Sequence, residues 1–149
     1  MEPVGYVSSS RTEPIDDDWD AVAASITLTD SFEPESLQGL AEFSHVEVVY
    51  VFDQVDPASV QTGVRHPRSN PDWPEVGIFA QRAKMRPNRI GVTVCALLGV
   101  DGRTLTVRGL DAIDGTPVLD LKPYLREFGP RGEVHQPSWA TELMAGYWS

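Results

Sequence analysis

From Ser25 to Thr29 the chain alternates apolar Ile26 and Leu28 with polar Ser25, Thr27 and Thr29, the period of two that a half-buried strand requires. "VGYVSS" near the N-terminus has the same short-strand character. "SHVEVVYVFD" is richer in β-branched and aromatic residues and predicts a central strand covered on both faces. "RIGVTVCALLGVDGRTLTVRGL" holds two alternating runs that meet at Asp101-Gly102, which predicts a hairpin with a type I′ turn. Turn chemistry at Asp114-Gly115-Thr116-Pro117 leads into another strand, with Val118, Leu119 and Leu121 at its apolar positions.

Helical signals are few. One turn is predicted after Pro34 in "EPESLQGL". At the C-terminus Trp139, Leu143 and Tyr147 recur at i, i+4 and i+8 behind Ser138, an N-cap candidate, and predict an amphipathic helix over 138–147. The acidic "EPIDDDWD" reads as a solvated loop, and "DPASVQTGVRHPRSNPDWPEVG", with four prolines, as a long irregular connection. Short strands punctuated by Gly and Pro turns point to a mainly β barrel with short peripheral helices.

At 149 residues the chain has the size of one domain, and its 41% hydrophobic and 23% charged content fits a soluble globular protein. The opening "MEPVGYVSSS" lacks the basic and apolar segments of a secretion signal, which places the protein in the cytoplasm. The lone Cys95, inside "IGVTVCALL", reads as a buried and inert thiol. The net charge of -10 is unevenly distributed: residues 1–64 sum to -12, residues 65–91 to +4 and residues 92–149 to -2. Such a body repels polyanions in general, while the cationic stretch can hold a phosphate, carboxylate or nucleotide.

The motif content excludes several chemistries. No G-x-G-x-x-G follows a strand, no P-loop or G-x-S-x-G elbow occurs, and His45, His66 and His135 lie too far apart for a compact metal motif. Two dense polar clusters remain, "RHPRSNPDW" with "GIFAQRAKMRPNRIG", and "RGLDAIDGTPVLDLKPY". Pro87 stiffens the backbone between Arg86 and Asn88, which suits a preorganised wall. Beyond the Asp114 turn, the extended chain projects Asp120 and Lys122 to one side, so that two acids, Lys122 and Tyr124 would line one short edge. A salt-bridged turn on a barrel rim is the other reading of the same residues.

The stretches "FSHVEVVYVF", "RHPR", "VGIFAQR", "RPNRIG" and "LDAIDGTPVLDLKPY", in this order and spacing, resemble the TsaA-like, or TrmO-like, family of S-adenosylmethionine-dependent methyltransferases. With "VGYVSS" the resemblance covers about residues 3–125 of a single domain spanning 1–149. It implies a TsaA-like β-barrel, S-adenosylmethionine as cofactor and N6-threonylcarbamoyladenosine in tRNA as methyl acceptor. By position it implies cofactor contacts from Ser9, Ser10, Arg11, Ser44, His45, Arg82, Val92, Arg108, Gly109, Leu110 and Asp111. Arg82 is the candidate for the cofactor carboxylate or for a substrate anion, and Asp111 for the cofactor's ribose hydroxyls or ammonium. On the acceptor side, Asp114 or Asp120 would take the amine proton, with Asn88, Lys122 and Tyr124 orienting it. Arg65, Arg68, Lys84, Arg86 and Arg89 are the candidate substrate contacts. The family's usual proline between Asn88 and Ile90 is Arg89 here.

Two further readings stay open: a methyltransferase of a small anionic metabolite, and a non-catalytic sensor or interaction module that binds the cofactor. The aromatic C-terminal helix on a small barrel also suggests a homodimer.

Overall fold

The alternation around Ile26 becomes β2 (Ala23–Leu28), whose Ala24, Ile26 and Leu28 are buried at 6%, 0% and 7% exposure. The same logic builds β1 (Gly5–Ser9), β3 (His45–Val51), β6 (Ile90–Asp101), β7 (Thr104–Arg108) and β8 (Pro117–Pro123). In this computed structural model, which describes residues 1–149, these strands close a barrel in the order β1-β2-β7-β6-β3-β8, every neighbour antiparallel. Val7, Ile26, Val46, Val48, Tyr50, Cys95, Leu105, Val107 and Val118 fill the lumen. A barrel this narrow is a packed core rather than a ligand cavity, so a binding site must lie on its outside or at its mouths. Cys95 is 2% exposed, and burial pushes its thiol up to about 12, as an inert core thiol requires.

Four expectations need correction. In β3 only Val46, Val48 and Tyr50 are covered, while Glu47, Val49 and Val51 are half-exposed, because the sheet closes on itself and has no second layer outside. The hairpin loop is Gly102-Arg103, bracketed by the paired Asp101 and Thr104. Only Gly102 of the two has a positive φ, 59°, the pattern of a type II′ turn rather than I′. The acidic loop is not simply solvated, since Trp19 within it is 3% exposed.

The C-terminal helix α1 (Ser138–Leu143) follows Pro137, has no side-chain cap and stops short of Tyr147. Beyond it the carbonyls of Gly146, Tyr147 and Trp148 accept hydrogen bonds from the N–H groups of Asp18, Trp19 and Asp20, which an unbroken helix would not present in that way. The long connection over residues 56–77 is mostly irregular as expected, with short 3-10 turns at Pro57–Ser59 and Pro67–Ser69 and one small ribbon of β4 (Val64–Arg65) and β5 (Val76–Gly77).

Gly91 sets a packing constraint. A Cβ built there would lie 2.6 Å from the Tyr50 ring, whereas one at Gly99 meets nothing within 4 Å. Gly91→Ala is expected to cost about 1–3 kcal/mol by overpacking. Gly99→Ala is expected to stay within about 0.5 kcal/mol. Urea denaturation of the two variants separates these outcomes, and equal stabilities would refute the role given to the Tyr50 contact.

Candidate functional site

Cross-strand register shows which outward side chains share a surface, because residues directly opposite in an antiparallel pair point to the same face. Ala23 pairs with Arg108, Arg108 with Ala96, and Ala96 with His45. The next strand continues this row, since the Tyr124 N–H donates to the His45 carbonyl at 3.1 Å. Glu47 lies between Val94 and Lys122, and Val49 between Val92 and Asp120. Arg108 and His45 are therefore two strand spacings apart, about 10 Å, on the outer wall. Val92 and Val94, 36% and 39% exposed, form an apolar strip between these charged rows. Arg82 donates to the Val92 carbonyl at 2.7 Å and remains exposed. Ser44 and His45 form a surface pair, Oγ to Nδ1 at 2.7 Å.

At the mouth above this wall, β7 exits through Gly109 and the buried Leu110 to Asp111. The Asp111 carboxylate accepts hydrogen bonds from Tyr50 Oη at 2.9 Å, from Thr93 and from Tyr147. Burial first, and then the Asp111 charge, raises both tyrosine phenols well above their ordinary value. They remain neutral donors at any physiological pH. Three of roughly four carboxylate acceptor sites are thus engaged, which leaves one for a ligand hydroxyl or ammonium.

Asp114 belongs to this mouth too. Its Oδ1 accepts from the Ser9 N–H at 2.9 Å, and its own N–H donates to the Arg11 carbonyl at 2.7 Å. Ser10 is exposed beside them. Ser9 to Arg11, Arg108 to Asp111, and Arg82 with Val92 are thereby gathered at one end of the barrel, and Ala96 links them to His45.

The expected single edge of acceptor residues does not form. Asp120 and Lys122 do share a side, joined by a 2.9 Å ion pair. That pair raises the Lys122 ammonium, through the Asp120 hydrogen bond above all. Asp114, however, lies before the start of β8, and Lys122 is five residues along it from Pro117, about 16 Å. Strand geometry separates them.

Several candidate cations are engaged as struts. Arg11 donates to the carbonyls of Asp17 and Asp18, both at 2.9 Å, and its guanidinium lies 4.0 Å over the Trp19 ring. Its buried Nε has no partner. Arg68 pairs with Asp17 at 3.0 Å and with Asp16 at 3.9 Å, so it is neutralised rather than offered to a substrate. Arg86 binds its own loop at the Gln81 carbonyl, 2.7 Å, and Arg89 holds the Val55 carbonyl at 2.9 Å. Arg65, Lys84 and Asn88 make no side-chain hydrogen bond or ion pair.

Sequence reasoning missed Tyr50, Thr93 and Tyr147 as partners of Asp111, and Glu47 beside Lys122. Of these the sequence singles out only Tyr147, on the apolar stripe of the terminal helix.

The family model described as the tRNA-methyltransferase O N-terminal domain matches residues 8–129. This chain belongs to that family. The TrmO-like domain is 36% identical over 144 residues to the tRNA (adenine(37)-N6)-methyltransferase of Homo sapiens, covering 91% of this chain and 32% of the human protein. It is 38% identical to a probable S-adenosyl-L-methionine-binding protein of Pyrococcus abyssi, covering 89% of this chain and 71% of the relative. The crystal structure of TrmO from Pseudomonas aeruginosa superposes with a TM-score of 0.73 at 30% identity, covering 91% of this chain and 60% of that one. The chain spans a third or less of the length of the mammalian relatives it matches.

Two outcomes are expected from this geometry. Because the folded state holds Tyr50, Tyr147 and Cys95 protonated, their contribution to stability is complete below their unfolded pKa values and is lost as pH rises through them. Unfolding free energy should fall above about pH 10, and Tyr147→Phe should lessen that slope by up to about 1.4 kcal/mol per pH unit. Urea titrations across that range measure it, and an unchanged slope would exclude Tyr147 from the network. Secondly, Arg89 has φ 52° and donates its N–H to the Arg86 carbonyl at 3.0 Å. Proline, which the family usually has here, can adopt neither feature, so Arg89→Pro should cost about 3 kcal/mol or more. Arg89→Gly should cost far less by thermal denaturation.

Proposed function

We propose that this chain is an S-adenosylmethionine-dependent methyltransferase acting on tRNA, with the N6 position of N6-threonylcarbamoyladenosine as its acceptor. The observation that carries the reading is the gathering of the family-matched residues at one barrel mouth and the adjoining outer wall. The names of the human and archaeal relatives support the same activity and cofactor.

The residues present suit that cofactor. Val92 and Val94 offer an apolar wall for an adenine, Ser9 and Ser10 offer hydroxyls, and Asp111 keeps one acceptor site. Arg82 and Arg108 are exposed cations suited to a carboxylate. The cofactor's sulfonium supplies an electrophilic methyl group. The chain's task is then alignment, exclusion of water and removal of one proton. Asp114 is the favoured proton acceptor, because its Oδ2 makes no hydrogen bond and it neighbours Ser9 to Arg11. The Asp120–Lys122 pair, Tyr124 and Asn88 would act as orienting groups farther from the mouth.

A flat strand face supplies one wall of a slot only. A second copy laid on the Val92, Val94 and Leu98 strip would supply the other, and this supports a homodimer. No helix is long and apolar enough to cross a membrane, and a tRNA acceptor would suit a cytoplasmic protein.

Incubation with radiolabelled S-adenosylmethionine and total tRNA, followed by nucleoside analysis, should yield a labelled threonylcarbamoyladenosine derivative. Asp114→Asn, which keeps an oxygen for the Ser9 N–H, should lower kcat by about 100-fold or more while cofactor affinity changes little. Labelling of a small-molecule pool instead of tRNA would favour the metabolite reading, and cofactor binding without any transfer the sensor. Sedimentation as a monomer with full activity would remove the homodimer.

A further inference from the structure

Phe79 is 80% exposed on a turn that its neighbours hold rigidly. Ile78 beside it is 2% exposed, and its N–H donates to the Gly63 carbonyl at 2.9 Å. Gln81, 8% exposed, uses its side-chain amide to bind the carbonyls of Val76 at 2.9 Å and Arg65 at 3.3 Å. Its own carbonyl is held by Arg86 at 2.7 Å. Ile78–Ala80 is therefore a braced turn whose outward ring has been left in water. An aromatic side chain in that state forgoes burial worth about 1.5–3 kcal/mol, which a partner that stacks on it would recover.

The surroundings specify the occupant. The turn lies in the one stretch of net positive charge, +4 over residues 65–91 in a chain of -10. Of the six Arg and Lys residues there, Arg68 alone pairs with a carboxylate. Arg65, on the strand that Gln81 clamps, and Arg82 and Lys84, just beyond the turn, keep their charge uncompensated. Arg82 also reaches the mouth, through the Val92 carbonyl. A rigid exposed ring flanked by free cations matches the two needs of single-stranded RNA, a surface on which a base can stack and cations along its phosphates.

We propose that Phe79 is a stacking platform for a nucleobase of the single-stranded RNA segment that carries the methyl acceptor. This rests on the tRNA reading and adds a substrate-positioning residue to it. The cations hold the backbone while the ring fixes one unstacked base, so that the neighbouring nucleotide reaches the mouth at Arg82.

The test measures binding of a fluorescently labelled anticodon stem-loop RNA, with S-adenosylhomocysteine present, to wild type, Phe79→Ala, Phe79→Trp and Phe128→Ala. Phe128, 83% exposed, sits beside Glu127 and outside the cationic stretch. Phe79→Ala should bind the RNA roughly tenfold or more weakly, Phe79→Trp at least as tightly as wild type, and Phe128→Ala as wild type does. Cofactor affinity and molecular mass should be the same in all four proteins. Wild-type RNA affinity in Phe79→Ala, or a changed cofactor affinity or mass in that variant, overturns the proposal even where wild type methylates tRNA. If wild type neither binds the RNA nor labels tRNA, the functional reading and the stacking role fall together.

Discussion

The Asp111 carboxylate is the point on which the mouth of this barrel depends. A charge at the edge of a packed lumen is tolerated only when its lone pairs are engaged, and here three hydroxyls engage them. Tyr50 and Thr93 arrive from inside the barrel, and Tyr147 from the last turn of the chain. Asp111 is half-buried, so removing one donor leaves an acceptor that water can reach only in part. The same contacts fix the direction in which β7 leaves the barrel, and so where Arg108 and Arg82 can meet a ligand. Gly91 belongs to this arrangement, since any side chain there would displace the Tyr50 ring.

A second network decides which cations remain available. The acidic segment around Asp16 to Asp18 folds back over Trp19 and binds Arg11 and Arg68. Arg86 and Arg89 turn inward to carbonyl oxygens. Of the cations in residues 65–91, Arg65, Arg82 and Lys84 are left without a carboxylate, and Arg82 brings this loop to the mouth. An acidic protein can in this way present a local basic track without a basic surface overall.

Strand existence was legible in the sequence, and so was phase where a period of two in "SITLT" and "TLTVR" leaves little choice of face, whereas "HVEVVYV" breaks the alternation and reads as covered on both sides. Turn type was less so: Asp-Gly favours I′, but the strands pair one residue further on and place Gly102 first in the loop. The helix ended early because the terminal carbonyls pair with residues 18–20, a contact across the whole chain that no local pattern records. Of the site candidates carried by motif, Ser9, Asp111 and Asp114 lie about one mouth, while Asp120 and Lys122 lie along β8 and Arg68, Arg86 and Arg89 are engaged elsewhere. The partners of Asp111 did not announce themselves, since 61 residues separate Tyr50 from it. Nor could composition show that Arg86 and Arg89 are struts, because their acceptors are backbone oxygens of a loop whose path is set by tertiary structure. Asp114 and Lys122 looked adjacent in sequence, yet an extended strand holds them apart.

In β3 and β6 the inward residues form the core, while the outward ones, His45, Glu47, Val92 and Val94, form the outer wall on which the proposed cofactor would rest. Stability and recognition are thus written on alternate letters of the same words. A substitution at one letter can retune the ligand without touching the core. An extra residue within a strand would exchange the two alphabets over the rest of it unless a bulge absorbed the shift, as the irregularities at Leu97/Gly99 and Val49/Tyr50 do here.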